Sequence, residues 1–261
     1  MAYVAVRGYR IGEGRPKVIL PIIEPTEAQI LSRGAEFSTL RTDCVEWRLD
    51  HWAEPIHSTA LLRCLQGLRQ AIGSKLLLVT FRSQAEGGER SCSLEEYSAL
   101  CRQVCASGCA DLLDLELRPT GDALPALIQQ AHAAGVKVIC SSHDFTGTPP
   151  QEELIARMEQ MRSAGADIAK LAVMPHRPED VLELLTATAQ MRQAHPELPL
   201  VTMSMGALGA VSRLWGEAMG LSLIHISASR RSLGRVSVQM WPINLSVRLP
   251  IVALVGHYLT N

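Results

Sequence analysis

Short β-branched and leucine-rich runs alternate along the chain with longer stretches in which apolar residues return every three or four positions. The first pattern is that of a buried strand and the second that of an amphipathic helix, so the alternation predicts parallel strands joined by crossover helices. Seven strands are expected, near Lys17–Ile22, Asp43–Asp50, Leu76–Phe81, Asp111–Leu117, Val136–Ser141, Ile168–Met174 and Leu200–Ser204. The helices fall near Thr26–Gly34, Pro55–Ile72, Leu94–Ala106, Ala123–Ala134, Glu152–Ala164, Pro178–Ala194 and Ala207–Met219. Gly108, Gly135 and Gly165 follow three of these helices, where a left-handed cap turns the chain into the next strand. A repeat of roughly thirty residues is a βα unit, and seven such units with one more make a (β/α)8 TIM barrel, an α/β fold. Ahead of the first strand, Ala2–Gly14 alternates weakly and carries Gly8, Gly12 and Gly14, which predicts a hairpin plugging the barrel bottom.

The pattern breaks where the eighth unit is due. From Leu221 onward the chain carries four of its 25 basic residues, all arginine, and none of its 26 acidic ones. No helical period with exposed Glu/Lys pairs appears there. The run Leu221-Ser222-Leu223-Ile224-His225-Ile226 reads like the translation of a synthetic transposon end. The expectation is a catalytic barrel over residues 1–220 whose last βα unit is replaced or disrupted. Residues 221–261 then form an atypical segment, either an unusual natural tail or a non-native junction. Within it, Ser222–Ile226 has the composition of a strand suited to the vacant slot.

Composition narrows the class of ligand. With 261 residues and 47% apolar content the chain can bury one full core. A net charge of −1 and a pI near 6.7 provide no field for nucleic acid or anionic lipid, so a small molecule is the expected partner. Seven cysteines, an odd number in a chain this large, point to a reducing compartment. Cys101, Cys105 and Cys109 recur every four residues as a helical stripe; a buried structural stripe is expected over a soft-metal site, which lacks a clear fourth ligand. Met1–Gly8 has no signal-peptide character and no apolar run reaches membrane-spanning length, so a soluble, cytoplasmic protein is expected.

In a barrel of this kind the reacting groups sit at the C-terminal ends of the strands. Glu46, Arg48 and Asp50 share one face of the second strand, as an ion-pair network or as ligands for a polar substrate. Arg82 ends the third strand, and the loop Ser83–Glu89, with Gly87 and Gly88, delivers Glu86 to the barrel mouth. His143 follows the fifth strand as a candidate proton shuttle, its neighbour Asp144 able to hold its tautomer. Lys170 lies within the apolar strand Ile168–Met174, its same-face neighbours being Ile168 and Ala172. Such burial lowers an amine's pKa toward neutrality, as a nucleophile requires; a snorkelling or ion-paired lysine is the alternative. Met203 and Met205 suit the wall of a ring-sized pocket, and Arg213 offers a fork for a carboxylate. The turn Gly206–Gly209 is alternatively a phosphate site at a helix N-terminus.

Taken in order, Glu46-Trp47-Arg48-x-Asp50, Thr80-Phe81-Arg82-Ser83, Glu86-Gly87-Gly88, His143-Asp144-Phe145, Lys170, Met203-Ser204-Met205-Gly206 and Ser212-Arg213 resemble type I 3-dehydroquinate dehydratase. The resemblance implies a lyase that converts 3-dehydroquinate to 3-dehydroshikimate in the shikimate route to aromatic amino acids, without metal or organic cofactor, in a homodimer. It assigns imine formation to Lys170, proton transfer to His143 and orientation of the imidazole to Glu86. Glu46, Arg48 and Arg82 then hold ring hydroxyls, and Arg213 the carboxylate. The chain departs from the family after Gly220, where no Phe followed by Ser-x-x-x-Gln is found, and Ser232 stands in an unmatched context. The competing readings are a damaged, inactive product of a dehydratase gene and another class I Schiff-base aldolase.

Overall fold

The computed structural model describes residues 3–56, 59–214 and 221–225, excepting the side chains of 213–214 and 223–225, all within one compact unit, Met1–Ala228. Strands β1 (Val4–Val6) and β2 (Tyr9–Ile11) form an antiparallel hairpin. The chain then alternates between strand and helix: β3 (Lys17–Ile22), α1 (Glu27–Thr39), β4 (Cys44–Arg48), α2 (Thr59–Ala71), β5 (Leu76–Thr80), α3 (Leu94–Ala106) and β6 (Leu112–Glu116). A short α4 (Leu117–Thr120) and α5 (Leu124–Ala133) lead to β7 (Lys137–Asp144), α6 (Gln151–Ser163), β8 (Ile168–Val173), α7 (Pro178–Ala194), β9 (Leu200–Ser204), α8 (Ala210–Leu214) and β10 (Leu223–His225). Among the described residues, eight strands form one parallel sheet, β3 to β9 in sequence order with β10 beside β3. This is the expected α/β barrel.

Residues 223–225, just after the point where the sequence pattern breaks, supply the eighth strand. Leu223 pairs with Lys17 and His225 with Ile19, as a parallel strand requires. On the other flank Ser222 spans the seam to β9. Its N–H donates to the Leu200 carbonyl (2.9 Å), its hydroxyl accepts the Leu200 N–H (3.2 Å), and its carbonyl accepts the Lys17 N–H (3.0 Å). Residues 226–261, including Ser232, lie outside the described residues.

Side chains alternate across each strand, so one residue in two points into the barrel. At the ends where the strands begin, Ile19, Cys44, Leu76, Leu78, Leu112, Ile139, Ile168 and Val201 form one apolar cluster with Ile11 of the hairpin. The hairpin therefore closes the bottom, as its sequence suggested. A larger apolar cluster fills the space between the sheet and the helices, including Cys101, Cys105 and Cys109. Cys101 and Cys105 lie on α3, whereas Cys109 lies beyond the helix, after the left-handed turn at Gly108 (φ 65°), so the stripe is two residues long. Gly135 and Gly165 are likewise left-handed (φ 76° and 96°). Among the described residues no helix is long and apolar enough to cross a membrane.

Two boundaries differ from expectation for packing reasons. Helix α1 continues through Gly34 to Thr39 because Ile30, Gly34 and Phe37 form its buried stripe. A Cβ at Gly34 would stand 2.6 Å from Leu68 Cδ1 of α2, so this glycine marks a close helix contact and not a terminus. Strand β7 extends to Asp144, which places His143 inside the sheet, paired with Ala172 of β8.

Because Ile11 is fully buried in the bottom cluster, Ile11→Ala should lower stability by ~2–5 kcal/mol. Urea denaturation monitored by far-UV circular dichroism measures this; an unchanged midpoint would mean that the hairpin does not close the barrel.

Candidate active site

Two residues above the apolar layer, the inward positions become polar: Glu46 on β4, Thr80 on β5, Asp114 on β6, Ser141 on β7 and Lys170 on β8. All are buried. Lys170 Nζ lies 3.1 Å from Asp114 Oδ2 and 3.9 Å from Glu46 Oε1, which also accepts the Thr80 hydroxyl proton at 2.8 Å. The ammonium thus faces two carboxylates, in contrast to the apolar surround expected from Ile168 and Ala172. The reason is the neighbouring strands: same-strand periodicity does not reveal what β4 and β6 bring across the barrel.

Arg82 is the centre of the polar layer and only 3% exposed. Its Nη2 donates to Asp114 Oδ1 (2.8 Å), and its Nη1 donates to Glu116 Oε1 (2.8 Å), Ser141 Oγ (2.9 Å) and Glu86 Oε2 (3.4 Å). Burial opposes the guanidinium charge, but the attraction of Asp114, Glu116 and Glu86 outweighs it and raises the pKa further. Asp114 behaves as the mirror image. Burial would raise it, yet the charges of Arg82 and Lys170, with the Ser141 hydroxyl, hold it below the usual carboxylate range.

Glu86 is carried by a single 3-10 turn, Gln84–Glu86, ended by Gly87 in the left-handed region (φ 81°). Gly88 follows because its backbone donates to the Ser83 carbonyl (2.8 Å), and a Cβ there would come within 1.9 Å of the Arg82 carbonyl oxygen. Glu86 Oε2 accepts the His143 backbone N–H at 3.0 Å and faces His143 Nδ1 at 2.9 Å. With Nδ1 as donor, Nε2 carries the lone pair, the tautomer a general base needs. The residue that holds the imidazole is therefore Glu86. Asp144, the sequence neighbour considered for that role, is turned to Thr146 and Arg157.

Arg48 presents its fork to Asp50, with Nε and Nη2 donating at 2.8 and 2.7 Å. Burial acts to lower its pKa, but the bonds to Asp50 outweigh it and raise the value. Asp50 also accepts the backbone N–H groups of Arg82 (3.3 Å) and Glu89 (3.2 Å), so one buried carboxylate braces both ends of the loop that carries Glu86. Met203 and Met205 are half-buried in and just after β9. Arg213 lies on α8, but its side chain is outside the described residues. The turn before α8 is tied by Ser212, whose hydroxyl donates to the Gly209 carbonyl (2.7 Å) and accepts the Ser204 N–H (3.1 Å).

Lys170, His143, Glu86, Glu46 and Arg82 thus converge, and Arg48 joins them through Asp50. Sequence reasoning passed over Asp114 and Glu116. Their signal was the alternation Leu112-x-Asp114-x-Glu116, two carboxylates on the inward face of an otherwise leucine-rich strand. Among the described residues no group of three or more His, Cys, Asp or Glu is arranged to hold a metal ion.

A parallel barrel whose C-terminal end gathers an amine, an imidazole with its carboxylate and further charged groups defines the barrel enzymes of carbonyl and acid–base chemistry. The profile of type I 3-dehydroquinase matches residues 18–240. The 3-dehydroquinate dehydratase of Enterococcus faecalis is 44% identical over 241 residues, covering 92% of this chain and 95% of that protein. A solved structure of 3-dehydroquinate dehydratase from Enterococcus faecalis aligns with a TM-score of 0.84 at 43% identity, over 90% of this chain and 95% of the other. Type I 3-dehydroquinate dehydratase from Clostridium difficile, solved with covalently modified comenic acid, gives 0.84 at 39% identity, over 88% and 91%. The chain belongs to the type I 3-dehydroquinase family of lyases.

Burial, with Glu116 and Asp114 nearby, outweighs the pull of Arg82 and pushes Glu86 up to about 8. Its Oε1 is buried with no hydrogen-bond partner among the described residues, so the anion is poorly supported on that side. The folded protein keeps this proton above the ordinary value of 4.5, where the unfolded chain loses it. The resulting stability is full below 4.5 and is lost as pH rises through about 8, with a slope of up to ~1.4 kcal/mol per pH unit. Glu86→Gln should flatten that fall, read as urea midpoints across the same window. An identical slope in the variant would place the proton elsewhere.

Proposed function

We propose that this protein dehydrates 3-dehydroquinate to 3-dehydroshikimate through an imine on Lys170, as a step toward aromatic amino acids. The observation that carries the reading is the placement of Lys170 and His143 on the inward faces of adjacent strands, with Glu86 holding the imidazole. The Lys170 nitrogen bonds to the ketone carbon and the carbonyl oxygen leaves as water. The resulting C=N draws electrons from the neighbouring C–H bond. His143 Nε2 takes that proton, and the electron pair moves into the enamine. The pair then returns to expel the β-hydroxyl, which leaves as water with the proton held on His143. Hydrolysis of the imine releases the conjugated product and restores the lysine.

Glu46 and Arg48 hold the ring hydroxyls, with Arg82 fixing the carboxylates behind them, and Arg213 meets the substrate carboxylate. Met203 and Met205 supply an apolar wall for the ring. A homodimer in the cytoplasm is the setting this reading gives the chain, in keeping with seven unpaired cysteines.

Borohydride added to protein and 3-dehydroquinate should fix the mass of the reduced substrate on Lys170, located by peptide mass spectrometry. Lys170→Met should lose both adduct and turnover. His143→Ala should keep the adduct while kcat falls ~10²–10⁴-fold, the share of a positioned acid–base group. A folded chain, verified by thermal melting, that forms no adduct would overturn the reading.

A further inference from the structure

Asp114 has no part in the steps above, yet it touches the reacting nitrogen. Its Oδ2 stands 3.1 Å from Lys170 Nζ, whereas the nearest Glu46 oxygen is at 3.9 Å. The other oxygen, Oδ1, accepts Arg82 Nη2 at 2.8 Å and Ser141 Oγ at 2.6 Å. Two donors on Oδ1 fix the plane of the carboxylate and leave Oδ2 aimed at the amine. We propose that Asp114 is the catalytic counter-ion of Lys170, holding its nitrogen in place and keeping the imine formed on it protonated. This inference rests on the imine chemistry proposed above.

The need for such a group follows from the charge balance. An ammonium and a ketone give an iminium and water: the C–N bond forms, the C–O bond breaks, and two of the three ammonium hydrogens leave with the oxygen. The third stays on nitrogen, and net charge is unchanged, so one fixed carboxylate serves both states. An imine is a weaker base than the amine it came from. Left alone near neutral pH it sheds that last proton, and a neutral imine draws electrons poorly. An opposite charge at hydrogen-bond distance favours the protonated form.

The surrounding groups leave this task to Asp114. Glu46, from β4, is farther from the nitrogen and takes the Thr80 hydroxyl. Glu116, on β6, commits Oε1 to Arg82 Nη1 and the Ser83 N–H. Glu86 and His143 face each other. Arg82 is positive and opposes the proton, but Asp114 and Glu116 each meet its charge at 2.8 Å. The Tyr97 hydroxyl donates to the Asp114 backbone carbonyl and not to its carboxylate.

The test is Asp114→Asn in the full chain. At pH 6 the borohydride adduct on Lys170 should still form, while the alkaline limb of the kcat profile moves toward neutrality by about one pH unit or more, the size of effect one neighbouring charge produces. At a pH above both limbs kcat should fall about tenfold for each unit of that shift. Asp114→Glu should return the limb part of the way. A folded, adduct-forming Asn variant with its alkaline limb unmoved would reject the counter-ion role. If loss of the carboxylate prevents folding, 15N NMR of lysine-labelled wild-type protein with saturating substrate decides: an iminium signal persisting to pH 9 supports the proposal, and a neutral imine by pH 7 overturns it. Absence of any adduct in the wild type would instead reject the imine chemistry itself.

Discussion

The site depends on a single buried guanidinium. Arg82 bonds side chains from β6, β7 and the turn that carries Glu86, while its backbone N–H is held by Asp50 beside β4. Removing a buried cation of this kind would leave several carboxylates facing one another in low dielectric, which costs far more than the loss of an exposed ion pair. Arg82 therefore orders the polar layer as a unit. The five strands β4 to β8, apolar where they begin, end as one connected polar network in which Asp114 links Arg82 to Lys170 and Glu46.

That network is not neutral. Glu46, Glu86, Asp114 and Glu116 surround Arg82 and Lys170, so the carboxylates outnumber the cations two to one. Ionising all four would be unfavourable, and the surplus is relieved at Glu86, where burial and the neighbouring Glu116 and Asp114 outweigh the pull of Arg82. Asp114 sits at the opposite extreme, flanked by both cations. The environment thus sets two carboxylates to opposite protonation preferences within one site. Such a division lets neighbouring groups of the same chemistry serve different roles.

Among the described residues, strand β10 has three residues, and the β9 side of the seam is spanned by the backbone and hydroxyl of Ser222. A hydroxyl that accepts a ladder N–H can replace a carbonyl at one position but does not propagate along a strand. The hairpin β1–β2 compensates at the bottom by placing Ile11 against the inward residues of seven strands. Glu46, Asp114, His143 and Lys170 lie on β4 to β8, away from the seam, where parallel pairing is continuous.

Much was legible in the sequence because periodicity records local geometry. The alternation of strand and helix, the left-handed turns at Gly108, Gly135 and Gly165, and the plugging hairpin follow from which residues can bury one face or adopt one backbone conformation. The charged residues at strand ends were visible for the same reason. What the sequence left undecided is who meets whom. Lys170 looked enclosed by its own apolar strand, Asp144 looked like the partner of His143, and Gly34 looked like a helix end. Asp114 from β6, Glu86 from a loop 57 residues before His143, and Leu68 from α2 decided those points. Local patterns determine the elements because hydrogen bonds and burial along one segment suffice for them. Partnerships across the barrel depend on strand order and register, which exist only once the sheet has curled.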